Sequence, residues 1–167
     1  MAAAVILRTH PLPVRIDDSK RLTRLQRERA FSVILESAHV GFGIIPADGI
    51  DRLNILQASL LAMQEAIRDL RIRPDLILID GPIVPASEIP CRPLIGGDRR
   101  SYAIACASIM AKVLRDRLMA FYHQLAPDYA FDRHMGYGTS LHQARLQALG
   151  PSVFHRMTFR PVAKWKT

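Results

Sequence analysis

The sequence predicts an α/β fold, a sheet with parallel pairing and helices packed against it. Three observations carry that prediction. The run Leu76-Ile77-Leu78-Ile79 is short, wholly apolar and stops at Asp80-Gly81-Pro82, as a strand buried on both faces does. Helical patterns flank it on either side, which is how crossover-connected strands read. Residues 97–119 hold no Gly or Pro from Arg100 onward, and Ile104, Ile109, Val113, Leu114, Leu118 and Phe121 recur at separations of mostly three to five. That spacing predicts an amphipathic helix, with Asp98 and Ser101 as start signals. The 167 residues are 49% hydrophobic with no repeat or low-complexity segment, so one domain over residues 1–167 with a substantial core is expected.

The elements come in order. Ala2 to Leu7 is a compact apolar run ended by Arg8, His10, Pro11 and Pro13, and predicts a strand. Its place at the start is unusual, because strands this apolar are generally buried between neighbours. Asp17-Asp18-Ser19-Lys20-Arg21-Leu22 is a polar loop, read most simply as entry to a helix over 23–38. Residues 40–45 predict a second strand. Pro46 and Asp48 introduce one long helix carrying Ile50, Leu53, Leu56, Leu60 and Ile67 to about Leu70. The strand ending at Asp80 comes next, then an irregular connection over 85–93, then the helix of 97–119. Beyond Pro127 the chain turns polar, and 128–167 predicts a helical and loop extension. Within it Thr139 caps a short helix through Leu149, Gly150-Pro151 breaks that helix, and 152–159 gives one more turn.

Ser108, Lys112 and Asp116 fall on one line of the central helix, a polar line on an element otherwise apolar. Asp80 sits beyond the carboxyl end of a sheet strand, where α/β sheets bind ligands, although Asp-Gly-Pro also makes a plain turn. Glycines on both sides of Tyr137 free the backbone to present its ring on a tight loop, and a packed tyrosine in a surface turn would read the same. The net charge of +8 favours an anionic partner, nucleic acid first. The tail adds Arg156, Arg160, Lys164 and Lys166 around Trp165. The six histidines lack zinc-like spacing, and neither a Ser/His/Asp nor a Walker pattern is present. Cys91 and Cys106 read as reduced structural thiols, which with no leader or transmembrane run predicts a cytoplasmic protein without a membrane partner.

Taken together, Asp18-Ser19-Lys20-Arg21-Leu22, Leu53-Asn54-Ile55-Leu56, Ile79-Asp80-Gly81, Gly97-Asp98, Ala107-Ser108-Ile109-Met110-Ala111-Lys112-Val113, Arg115-Asp116 and His134-Met135-Gly136-Tyr137-Gly138-Thr139 resemble ribonuclease HII. Gly150-Pro151-Ser152, His155-Arg156 and Phe159-Arg160-Pro161-Val162 fit as well, so the resemblance runs in order over essentially the whole chain. It implies a ribonuclease H-like fold, with a mixed five-stranded sheet between helices and a helical C-terminal region. It further implies a monomeric, metal-dependent endonuclease that cuts the RNA strand of RNA–DNA hybrids and nicks at ribonucleotides embedded in duplex DNA. Asp80 and Asp116 match acids that hold Mn2+ or Mg2+ and carry catalysis. Tyr137 matches the tyrosine at the ribonucleotide sugar, where the 2′-hydroxyl marks RNA. Ser19, Lys20 and Lys112 match substrate-backbone contacts.

One departure has weight. The family's other two acids lie in an Asp-Glu-x-Gly-Arg-Gly motif on the first, central strand, and this sequence has no such motif. Residues 1–7 match the family's second strand, so the first strand is expected to be missing. Two readings result. One is a ribonuclease HII whose first strand is encoded upstream; the other is a catalytically dead, truncated relative that at most binds hybrid. In either case the 167-residue form is expected to be inactive and poorly stable. Smaller departures are Pro82, where Asn is common, and Met135, where Lys is common.

Overall fold

A computed structural model describes residues 1–165, which fold as two compact units: Met1–Ile44 with Ser59–Val113, and Ile45–Ala58 with the described residues from Leu114 onward. Lys166 of the basic tail lies outside the described residues. The expected α/β fold forms, with four strands and six α-helices among the described residues.

In the first unit β1 (Ala2–Leu7) pairs antiparallel with β2 (Ala38–Gly43), Ala2 opposite Gly43 and Leu7 opposite Ala38. Between them runs α1 (Arg24–Ser37). Thr23 starts it with a reciprocal cap: its hydroxyl accepts the Gln26 N–H at 3.2 Å, and the Gln26 side chain accepts the Thr23 N–H at 2.9 Å. The cap is therefore Thr23 and not the polar loop before it. Phe31 and Ile34 of α1 enter a core with Leu12, Leu22, Ile109 and Met110. The second strand begins two residues earlier than expected and ends at Gly43, because its glycines serve a close approach. A Cβ at Gly41 or Gly43 would collide with the backbone carbonyls of Ala66 and Ala62.

The long helix expected after Pro46 is two helices, α2 (Ala47–Leu53) and α3 (Ile55–Arg68). Asn54 takes φ 69°, which asparagine tolerates, and its Oδ1 accepts the N–H groups of Leu56 and Gln57 at 3.0 and 3.1 Å. The break is thus a cap in its own right, and a pattern of apolar spacing alone runs straight through it.

β3 (Ile77–Asp80) pairs parallel with β4 (Cys91–Leu94), Ile77 opposite Cys91 and Asp80 opposite Leu94. β4 occupies the end of the connection read as irregular. Pro93 within it removes a ladder donor and masks a strand that tolerates it only at an edge. Among the described residues β1 pairs with β2 and β3 with β4, in two separate ladders rather than one mixed sheet. A cleft of about 300 Å³ lies along both, lined by Ala3 to Leu7, by Leu76 to Ile79 and by side chains of α3 such as Met63 and Ile67. β3 is therefore not buried on both faces as its composition predicted. Ile79 is 6% exposed, but Leu76 and Leu78 are 51% and 37% exposed.

The central helix is α4 (Tyr102–Leu125), preceded by a 3-10 turn at Gly97–Arg99; of the expected start signals Ser101 caps it, its hydroxyl accepting the Ile104 N–H at 3.4 Å and its carbonyl the Ala105 N–H at 2.9 Å, while Asp98 lies in the 3-10 turn. Ile104, Ile109 and Val113 are buried as expected, joined by Cys106 and Met110, whereas Phe121 is half exposed. Burial pushes the Cys106 thiol up to about 12, consistent with an inert structural thiol. α4 contributes its residues through Val113 to the first unit and those from Leu114 to the second.

The second unit holds α2, the end of α4, α5 (Phe131–His134) and α6 (Ser140–Leu149). α6 begins at its expected cap, Thr139, whose hydroxyl accepts the His142 N–H at 3.3 Å, and ends at Gly150. Phe131, Leu146 and Val162 form its apolar centre beside the buried imidazoles of His134, His142 and His155. Asp51 of α2 ties residues 45–58 to the C-terminal turns by accepting the N–H groups of Met157 and Thr158 at 2.6 and 2.9 Å, and the Thr158 hydroxyl at 2.5 Å. These hydrogen bonds outweigh the cost of partial burial and hold its carboxyl below the ordinary carboxylate value.

Candidate functional site

Asp80 is the last residue of β3 and is exposed. The chain turns after it at Gly81, φ 105°. Its Oδ1 accepts the Gly97 N–H at 2.8 Å. Glycine leaves room for this contact, since a Cβ would lie 2.7 Å from the Ile104 Cδ1 and 3.2 Å from that same Oδ1, and both side chains would have to shift. The Gly97-Asp98 pair thus works through its first residue, which lets a backbone amide reach and orient the carboxylate.

The Asp18-Ser19-Lys20 loop is built from its own side chains. Asp18 Oδ1 accepts the Lys20 N–H at 3.0 Å, and its carbonyl accepts the Arg21 N–H at 2.8 Å. Asp17 is taken up by Arg15 at 2.7 Å and Arg21 at 3.2 Å; the Arg15 hydrogen bond foremost holds its carboxyl below the usual range. Ser19 is buried, and its hydroxyl meets that of Ser108 on α4 at 3.1 Å, while Lys20 stays exposed. Ser108 and Lys112 are one turn apart on α4, so the structure joins the loop to the polar line of that helix within the first unit.

In the second unit Asp116 sits one further turn along α4 and is partly buried. Tyr137 is 53% exposed on a loop folded tightly by the hydrogen bonds Tyr137 N–H to His134 O and Thr139 N–H to Tyr137 O, both 2.8 Å. The guanidinium of Arg115 lies 4.7 Å from the centre of the Tyr137 ring. One nitrogen of that guanidinium, Nη1, is buried without a hydrogen-bond partner. Burial, and next the charge of Arg115, push the Arg156 guanidinium below its ordinary value, which marks the two cations as neighbours. In the sequence Arg115 stands out only beside Asp116, and His134 and His155 only within the motifs that carry the resemblance, while His142 belongs to no motif. Their signal is positional: His134, His142 and His155 bracket the Gly-Tyr-Gly loop.

The carboxylates of Asp80 and Asp116 are hard oxygen donors of the kind that Mg2+ and Mn2+ take. Among the described residues no three His, Cys, Asp or Glu side chains are grouped as a metal ion would need. The two acids therefore suit such an ion chemically, but the described residues do not supply a complete ligand set.

The chain is similar to known proteins. The family model for ribonuclease HII matches residues 2–162. The ribonuclease HII of Chlamydia muridarum (strain MoPn / Nigg) is 46% identical over 164 residues, covering 97% of this chain and 75% of the relative. That of Xanthobacter autotrophicus (strain ATCC BAA-1158 / Py2) is 46% identical over 162 residues, 97% of this chain and 65% of the relative. Among solved structures, ribonuclease H2 from Pyrococcus horikoshii OT3 superposes with a TM-score of 0.72 at 21% identity, over 98% of this chain and 96% of that one. Bst-RNase HIII in complex with Mn2+ superposes with a TM-score of 0.63 at 14% identity, over 89% of this chain and 56% of that one. These two establish the fold, and the sequence relatives establish the kinship: the chain belongs to the ribonuclease HII family.

Proposed function

We propose that the chain recognises RNA–DNA hybrids and ribonucleotides embedded in duplex DNA, as the nucleic-acid-binding body of a metal-dependent endonuclease. Tyr137 carries the reading. A half-exposed tyrosine backed by an arginine and held on a tight loop offers a ring face to a sugar with a cation beside it for the adjoining phosphate. Ser19, Lys20 and Lys112 would contact the backbone; of these, Ser19 is buried and serves from behind, through Ser108. Asp80 and Asp116 would hold Mn2+ or Mg2+, which when bound neutralises charge at the scissile phosphate. Gly97 fixes Asp80 for that task through its amide. No helix among the described residues is long and apolar enough to cross a membrane, and we assign the protein to the cytoplasm as a monomer.

A second reading is favoured by the donor count: the 167-residue form binds but does not cut. It rests on the absence of an Asp-Glu-x-Gly-Arg-Gly motif from the given sequence and on a metal-ligand set left incomplete among the described residues. One experiment separates the two. The purified chain is incubated with Mn2+ or Mg2+ and an end-labelled duplex carrying one ribonucleotide, with fluorescence anisotropy run in parallel on the same duplex in chelator. Binding without nicking is the expected result. Nicking that Asp80→Asn or Asp116→Asn abolishes would overturn the silent reading. Failure to bind either substrate would overturn both.

A further inference from the structure

Three imidazoles of the second unit are buried together behind the Tyr137 loop, and the known donors and acceptors around them fix every proton. The Ser152 N–H reaches His155 Nδ1 at 2.9 Å, and an amide can only donate, so Nδ1 accepts and the His155 proton sits on Nε2. His155 Nε2 meets His142 Nε2 at 3.1 Å, so the latter must accept. That leaves the His142 proton on Nδ1, 2.9 Å from the Tyr137 carbonyl, which can only accept. His134 stacks on His142 with ring centres 4.1 Å apart; it accepts the Gly136 N–H on Nδ1 at 3.1 Å and donates from Nε2 to the Tyr129 carbonyl at 2.8 Å. All six ring nitrogens are engaged with one consistent set of directions, and none is left for a metal ion. A second proton on either His142 or His155 would break the sequence, since each second nitrogen is already accepting.

We propose that His155 and His142 form a directional pair of neutral imidazoles that sets the backbone of Tyr137 for sugar recognition, both acting as positioning residues. The inference rests on the reading of Tyr137 as the sugar contact. The loop has two anchors in this arrangement, one at Gly136 from His134 and one at the Tyr137 carbonyl from His142, on either side of the peptide that aims the ring. Gly136 takes φ 75°, a conformation that has to be held from outside. Burial and the neighbouring imidazoles depress proton binding by His155 to about 4, and burial foremost depresses that of His142, so both are neutral at physiological pH.

The test has two arms on the full chain. In the first, long-range proton–nitrogen correlation spectra of the 15N-labelled protein at pH 7 report each tautomer. His142 should be the Nδ1–H form and His134 and His155 the Nε2–H form. An Nε2–H or doubly protonated His142 overturns the pair whatever the second arm gives. In the second, anisotropy in chelator compares a duplex carrying one ribonucleotide with its all-deoxy counterpart. His142→Asn keeps a donor near the Nδ1 position, whereas His142→Gln places its amide near Nε2 and leaves the Tyr137 carbonyl unmatched. Tyr137→Ala and His142→Gln should each lose roughly three- to tenfold of the preference, the worth of about one hydrogen bond, while His142→Asn stays within about twofold. Loss by Tyr137→Ala but not by His142→Gln overturns the pair alone. No loss by Tyr137→Ala overturns the sugar reading, and the positioning role falls with it. Should His142→Gln not fold, the wild-type tautomers and His142→Asn still decide.

Discussion

Gly97 has no side chain because Ile104 and the carboxylate of Asp80 fill the space where one would go. Gly97→Ala should therefore push Asp80 off its amide and cost about 1–3 kcal/mol by overpacking, read as a lower urea midpoint at unchanged slope. The buried histidines predict a pH dependence with a definite sign. His155, faced by His142, Tyr129 and Phe131, binds its proton at about 4 in the folded chain and near 6.5 when unfolded. The unfolded state thus takes up the proton first. The stability this group carries is complete above about 6.5 and is lost as pH falls toward 4, with His142 acting in the same direction. Urea midpoints between pH 7.5 and 4.5 check this, and His155→Gln should flatten that part of the profile. At this scale the sequence was legible where a residue's role is local, as with Thr139 as a cap or Tyr137 between glycines. It did not show the partners of Arg115 and of the histidines, which are set by how α4, α6 and the C-terminal turns fold rather than by spacing.

Among the elements, α1, α6 and the apolar strand at the N-terminus were readable because pattern and punctuation agree there. Two of the misreadings have opposite causes. Asn54 breaks a helix that apolar spacing carries through, because a single asparagine can adopt φ 69° and cap the helix after it. Asn54→Ala should cost about 1–2 kcal/mol, since alanine neither caps nor accepts that backbone easily, whereas Asn54→Gly should cost less. Thermal denaturation of the two variants side by side gives the order. β4 was hidden for the other reason: Pro93 speaks against a strand, and only pairing with β3 makes one of it. The burial of β3 was overestimated because apolar composition reports what a strand would bury given neighbours on both sides.

For the molecule as a whole, the excess of eight positive charges predicts that binding to hybrid or duplex is driven largely by release of counterions. Affinity should fall steeply with salt, by roughly ten- to a thousandfold between 50 and 200 mM for a few phosphates neutralised, measured by anisotropy titration. The same charge has a second office. Along the cleft, β1 and β3 each border apolar surface without a ladder partner on that side among the described residues, and bare strand borders are templates for another chain. Mutual repulsion between copies is what keeps such borders apart in dilute, low-salt solution. Salt removes that repulsion, so the conditions that free the protein from nucleic acid should also send it toward cross-strand aggregates, seen as concentration-dependent light scattering. A nucleic-acid ligand of the kind proposed would then double as a solubiliser, and purification that strips it early should recover less protein than purification that keeps it bound.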